Sequence, residues 1–519
     1  MDWFVGRWKL IGLMILAMHA SAVVNGGVTW ARAGDDELRA LKAEMEELRN
    51  EIRQTIAEKE KKIESLERQV QSLQSRSVQE QSARGKEAGA SPSAGAGASS
   101  LDRALTGLGQ YQEKAQKGDL FSHQVGGATL RLMDLSLDIM TTAGSSTERD
   151  ESIETLQGGA HDPKRRGFTF QQAELGIQGA VDPYFTGEAY IVFSEEEVEL
   201  EEAYFRTSSL PFGLQAKGGL YLTEFGIINS THPHSWDWID QPVINTRIFG
   251  GEGSRGAGAR LSWLTPLPWY SELTLGMQNA NSETMVSFLG SRHEHGEEHA
   301  EEHEIETTIG GRTAVDRDVR ALEDFLYMAR WESSCDLGRE VTAKLGLSGL
   351  LGPNNTGPDG YSLIYGADFK VKWRPLSNER GWPFIQWQSE IMARGYRADA
   401  FIQDDGDEII DLPRETLHDW GFYTQILYGF HPGWAAGLRY EYAGGSGDGG
   451  LELESRDEDP FRCDRHRISP LLAWYPSEFS RFRLQYNYDH SDHLDGDDDA
   501  HSVWLGAEFL IGSHPAHKF

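Results

Sequence analysis

The densest run of chemistry-bearing side chains is RHEHGEEHAEEHEIE, in which His293, His295, His299 and His303 interleave with Glu294, Glu297, Glu298, Glu301, Glu302 and Glu304. Neutral imidazole ligates zinc, copper or nickel, and carboxylates beside it raise the local cation concentration. His299 and His303 stand four apart and would share a helical face, whereas His293 and His295 would share one side of an extended chain. The spacing is irregular and no Cys is present, so a fixed structural zinc site is not expected. Weak, exchanging binding through His293, His295, His299, His303, Glu298 and Glu302 is, with no tightly bound cofactor. The alternative is an acidic loop whose histidines are incidental. The acidic runs Asp404 to Glu408 and Asp495 to Asp499 lack the Gly and distant Glu of a helix-loop-helix calcium site and read as solvated loops. The sequence contains no phosphate-cradling Gly loop followed by Lys, no elbow serine and no HExxH, so no enzyme is expected.

Elements able to hold such a segment must suit an unusual composition. The chain has 519 residues, 25% charged and 39% hydrophobic, with 57 Gly, 15 Trp, 17 Tyr, 22 Phe and a net charge of −32. That is too polar for a helical membrane bundle and too rich in Gly and aromatics for disorder. Nucleic acid is excluded as a partner, because neutralising phosphates takes clustered Lys and Arg. After the first 24 residues no apolar run of about 18 occurs, so no helical span follows. A closed β-barrel stays open, since its alternating strands escape hydropathy.

Beyond about Asp119 the apolar residues recur with period two, as in LRLMDLSLDIM, where Met133, Leu135, Leu137 and Ile139 oppose Asp134, Ser136 and Asp138. Sixteen such segments are expected: 130–140, 167–180, 183–193, 198–208, 213–222, 256–265, 269–280, 321–332, 340–350, 361–374, 382–394, 416–430, 433–443, 465–475, 480–490 and 500–511. Tight turns (Asp182-Pro183, LPFG, PLPW, HPG, PSEF) alternate with mostly long connections, the sorting expected of an outer-membrane barrel with short periplasmic turns and long outer loops. Trp263, Trp269, Tyr270, Trp373, Trp382, Trp434, Trp474, Tyr475 and Phe479 lie beside the tight turns, as an interfacial girdle would. The predicted fold is an all-β transmembrane antiparallel barrel of about 16 strands over 119–519, preceded by an α-helical coiled coil. Cys335 then falls in a periplasmic turn and Cys463 in an outer loop, too far apart to bond. Sixteen strands enclose an aqueous channel.

Residues 119–519 hold 65 acidic against 32 basic residues. With lipid outside, Asp134, Asp138, Glu174, Glu188, Glu199, Glu201 and Asp368 must point to the lumen, where carboxylates concentrate cations.

Upstream, Arg7 and Lys9, the apolar stretch Leu10 to Met18 and the small residues Ala20-Ser21-Ala22 form an export signal over 1–33, cleaved after Ala22 or Ala33. A retained anchor is the alternative. Over 34–78 the residues Leu38, Leu41, Met45, Leu48, Ile52, Ile56, Ile63, Leu66, Val70 and Leu73 make a heptad seam with one stutter, a coiled coil that would join copies as a trimer or dimer. Residues 79–118 read as a flexible linker.

The block THPHSWDWIDQPVINTRIFGGEGSRGAGARLSW resembles a porin-like family of Gram-negative outer-membrane proteins, akin to phosphate-selective porins and including members described as zinc-regulated outer-membrane receptors. His232, Pro233, His234, Trp236, Asp237, Asp240, Gln241, Pro242, Phe249, Gly250, Gly256, Gly258 and Leu261-Ser262-Trp263 carry the resemblance, and the N-terminal coiled coil adds to it. Phe519 resembles the assembly signal of such barrels. The resemblance implies a homotrimeric sixteen-stranded pore in outer-membrane lipid whose third outer loop folds inward. His232, His234, Asp237, Asp240 and Arg247 would then line or brace the constriction, either contacting metal or satisfying one another while Trp236, Trp238, Pro242 and Phe249 pack the loop. Phosphate selectivity is not expected, since only six Lys lie beyond residue 119. The expected function is passive uptake of cations, zinc foremost, with metal cations as partners and a periplasmic or cell-wall partner for the coiled coil. The alternatives are a general diffusion porin without a metal role and a structural tether.

Overall fold

A computed structural model describes residues 122–125, 128–131, 133–290, 308–315, 317–404, 409–447, 449–450, 455–494 and 498–512. The export signal, coiled coil, linker, Phe519 and the His-rich segment, with His293, His295, His299, His303, Glu298 and Glu302, lie outside the described residues.

Sixteen strands form one closed antiparallel barrel in chain order. They are β1 (Met133–Ser146), β2 (Gly167–Ala180), β3 (Phe185–Phe193), β4 (Val198–Thr207), β5 (Leu214–Leu222), β6 (Arg255–Leu264), β7 (Tyr270–Asn279) and β8 (Phe325–Asp336), followed by β9 (Val341–Pro353), β10 (Tyr361–Trp373), β11 (Phe384–Ala398), β12 (Glu415–His431), β13 (Trp434–Ser446), β14 (Arg465–Ser477), β15 (Ser480–Ser491) and β16 (Asp499–Gly512). The barrel closes through β16 on β1, from Ser502 opposite Ser146 to Gly512 opposite Ser136. Closure leaves no strand edge with unpaired backbone groups.

Polarity along the strands is the reverse of that in a water-soluble sheet. In β12, Asp419, Tyr423 and Gln425 are 1%, 0% and 5% exposed, while Trp420, Ile426 and Tyr428 on the other face are 44%, 49% and 45% exposed. The same alternation leaves Leu347, Leu363, Ile391, Leu438, Leu484 and Leu505 outward around the wall. An apolar belt of this extent is stable only against lipid.

The connections at one end of the barrel are short, ten residues at most between β10 and β11, and those at the other are mostly long, the four residues between β3 and β4 excepted. All sixteen expected segments are strands in the expected order, and the differences lie at their ends. β1 runs to Ser146, because TTAGSS, polar enough to read as loop, pairs with β16 throughout and with β2 as far as Gly144. Cys335 belongs to β8 opposite Ala343, not to the turn expected from SSCDLGRE, because pairing with β9 continues to Asp336. Both cysteines are free, Cys335 exposed and Cys463 buried. Trp263, Trp269, Tyr270, Trp434, Trp474 and Phe479 are exposed beside the short turns. Trp382 and Tyr475 instead pack against a buried cluster around Trp238 and are not part of that girdle.

Candidate functional site

Residues 223–254, between β5 and β6, do not stay at the rim but cross the barrel interior. The sequence dictates this locally. Pro233 and Pro242 break regular structure, and the one helix, α1 (Val243–Phe249), is buried at every position. Its Ile244, Ile248 and Phe249 join Phe225, Met285, Phe288 and Leu326 in an apolar cluster inside the barrel.

Arginines of the far wall hold the loop by its backbone. Arg481 donates to the carbonyls of Trp236 at 2.7 Å and His234 at 2.9 Å, and Arg483 to that of Trp238 at 2.8 Å. Arg439 donates to the Asp240 carbonyl at 3.0 Å. Trp238 in turn donates its indole N–H to the Ser469 carbonyl at 2.9 Å. The Asp240 carboxylate is the anchor. It is fully buried, pairs with Arg439, and accepts from Arg467 at 3.0 Å and from Gln485 and Asn487, each at 2.8 Å.

The near wall is acidic. His232 places Nδ1 2.9 Å from Glu201 Oε2 and 3.1 Å from Glu174 Oε2, and Nε2 2.9 Å from Glu202 Oε2. His234, stacked on His232 with ring centroids 5.7 Å apart, lies 3.4 Å from Glu174 and 4.0 Å from Asp138. Glu174 comes from β2 and Glu201 and Glu202 from β4, where the register against β3 slips by one residue. That bulge makes Glu201 the extra residue and turns both neighbouring acids inward, 3% and 5% exposed. On the loop, outside the strands, burial opposes charge on the His232 imidazole, but Glu174 and Glu201 outweigh it and raise its pKa well above the usual histidine value.

The five expected constriction residues therefore separate. His232 and His234 join the acids of β1, β2 and β4; Asp240 docks on the opposite wall; and Asp237 faces Gln386 at 2.7 Å over a vestibule. Arg247, on α1, is buried beside Cys463 Sγ at 3.7 Å and offers its carbonyl to Arg394. Of the strand acids, Glu188 pairs with Arg206 at 2.6 Å, Glu199 with Arg255, and Asp368 with Arg330 at 2.6 Å. Asp134 shares the inward parity of Asp138 on β1.

A lumen lined by carboxylates alone is not what the wall presents. Arg330, Arg394, Arg439, Arg465, Arg467, Arg481 and Arg483 are all buried along β8, β11, β13, β14 and β15. Counting Lys overlooked them, although the alternations RHR at Arg465 and RFR at Arg481 mark inward guanidiniums in plain view. Glu202 was overlooked because period two places it outward and only the bulge reverses it.

Beneath the loop, toward the short turns, lie two cavities of about 460 and 490 Å³. The first is lined by Asp138, His234, Asp237, Lys370, Lys372 and Arg481 among others, the second by Arg206, Glu224, Arg260, Glu332, Lys344 and Lys370 among others. Both are lined by charged groups of both signs set among apolar ones.

No protein-family model matches the chain. It is 26% identical over 445 residues to an uncharacterized protein of Aquifex aeolicus, a match spanning 80% of this chain and 86% of that one. Among solved structures it is similar to the outer membrane channel DcaP of Acinetobacter baumannii, at 13% identity over 73% of this chain and 97% of that one, with a TM-score of 0.46. It is also similar to OprB of Pseudomonas putida, at 9% identity over 73% of this chain and 94% of that one, TM-score 0.44. A trimer form of OmpT, an outer membrane protein of Vibrio cholerae, matches at 7% identity over 73% of this chain and 99% of that one, TM-score 0.42.

Proposed function

We propose that this protein is a passive channel of the Gram-negative outer membrane that admits cations, divalent transition metal such as zinc among them. The observation that carries the reading is the closed barrel with apolar residues outward, charged residues inward and a loop folded across its lumen. Lipid outside and water inside satisfy both faces. Cation preference is supported by how the two charges are used. Arg439, Arg481 and Arg483 donate to the loop's own carbonyls and pair with Glu441 or Glu508, while residues 119–519 keep a two-to-one excess of acid. The carboxylate field would concentrate cations at the pore, and their own gradient, not an energy source, would drive passage.

Homotrimer formation through the coiled coil in the periplasm, and collection of zinc by His293, His295, His299 and His303 outside, complete the proposal. Planar-bilayer recordings test it. A reversal potential showing cation preference is expected, with zinc permeation falling when residues 293–303 are deleted. Equal anion and cation permeability would leave a general diffusion pore, and absence of any conductance would leave a structural tether.

A further inference from the structure

The loop and the near wall meet at a cluster that ordinary hydrogen bonding does not explain. One imidazole nitrogen, His232 Nδ1, faces two carboxylate oxygens at 2.9 and 3.1 Å. A single N–H can be given to only one of them well. Glu174 and Glu201 are both 3% exposed, and their ion-pair partners among the described residues are the two histidines alone. Two buried carboxylates held on one imidazole nitrogen are costly unless a cation joins them.

We propose that Glu174 Oε2, Glu201 Oε2 and His232 Nδ1 bind one divalent transition-metal ion inside the lumen. One ligand atom from each residue lies within 4.8 Å of the other two, and the edges of 2.9 and 3.1 Å from His232 Nδ1 approach the about 3.4 Å that separates ligands around a tetrahedral zinc with bonds of about 2.1 Å. Imidazole and carboxylate donors favour zinc, cobalt or nickel over calcium and magnesium. Three protein ligands leave a fourth position open for water, so the ion stays exchangeable. His232, being the loop's contribution, ties the loop to β2 and β4 when metal is bound. The site stands on its own geometry; that it lies on the path of permeating metal rests on the channel reading.

The test uses the full chain in detergent with His293, His295, His299 and His303 changed to Ala, which silences the outer segment. Titration with Co²⁺, followed by its visible absorbance, should show one ion per chain with nitrogen and oxygen ligation, displaced by Zn²⁺. His232→Gln and Glu201→Gln should each weaken binding by about 100-fold or more, while Asp237→Asn, in the vestibule, should not. Retention of the heat-resistant barrel on electrophoresis guards against misfolding. Absence of a bound ion in the four-alanine protein, or equal affinity in H232Q and E201Q, would overturn the site. Metal binding without conductance would overturn the channel reading and leave the site standing; conductance without binding would do the reverse.

Discussion

Asp240 does the most to position the loop, because its two oxygens collect Arg439, Arg467, Gln485 and Asn487 on three adjacent strands. Without it Arg439 keeps Glu441 and Arg467 keeps Asp489, but the buried Asn487 amide loses its acceptor, so Asp240→Ala is expected to destabilise the protein by about 1–3 kcal/mol. Thermal unfolding in detergent would read this, and a midpoint unchanged from the wild type would refute the anchor role. A second residue-scale prediction concerns Asp399, on the long-loop side. Burial raises its carboxyl, but hydrogen bonds from Arg414 and from the backbone of Asp359 and Ala400 outweigh this and hold it below the usual carboxylate value. A depressed folded pKa contributes stability that is present above the unfolded value of about 3.9 and lost as pH falls through the folded one. Hydrogen exchange of the hairpin Phe401–Asp404 and Ile409–Leu412 should therefore accelerate, beyond the intrinsic rate change, only below about pH 4. Asp399→Asn should show that acceleration already at neutral pH, and no difference there would count against it. Nothing in the sequence marked Asp399, since its partners Arg414 and Thr356 come from separate connections.

The loop fits the wall because the wall is scalloped by glycine. A Cβ on Gly437 of β13 would lie 2.8 Å from the Trp238 ring, and one on Gly421 of β12 would lie 2.9 Å from Ile244 Cδ1. Gly437→Val should push Trp238 and the loop toward the lumen axis at a cost of about 1–3 kcal/mol. Single-channel conductance should change with it, and an unaltered conductance and melting point would mean that the loop does not bear on that wall. Strand existence was legible from period two, and the loop's inward fold only from resemblance. Two features were not legible. One is the bulge at Glu201, where a register slip turned Glu202 inward against its parity. The other is the last third of β1, where pairing with β16 throughout and with β2 to Gly144 holds Gly and Ser in a strand that their propensities disfavour.

At the level of the whole molecule the charges are partly sorted: carboxylates of β1, β2 and β4 gather with His232 on the loop, whereas on β11 to β15 buried arginines stand paired with Asp419, Glu441 and Asp489. If the arginines are committed to the loop, replacing Asp240 should do more than destabilise. Arg439 and Arg467, left with Glu441 and Asp489 alone, would be less fully neutralised beside the lumen, and the reversal potential of the surviving channels should shift toward anions. An unshifted potential would show that the loop does not mask the basic sector. The sorting was half legible. The inward acids stood out in a chain of net charge −32, but the arginines were hidden in the same excess, and composition cannot say which side chains a loop will cover.

By itself the sequence determined the barrel, because alternation of polar and apolar residues is a local property and sixteen repeats of it leave one way to bury both kinds of surface. It also determined which end carries long loops, through turn residues that act over a few positions. Tertiary structure alone decided that His232 would meet Glu174 and Glu201 while Asp240, eight residues along, would reach the opposite wall. Contacts between strands far apart in the chain depend on closure, register and one inserted residue, and none of these leaves a local trace.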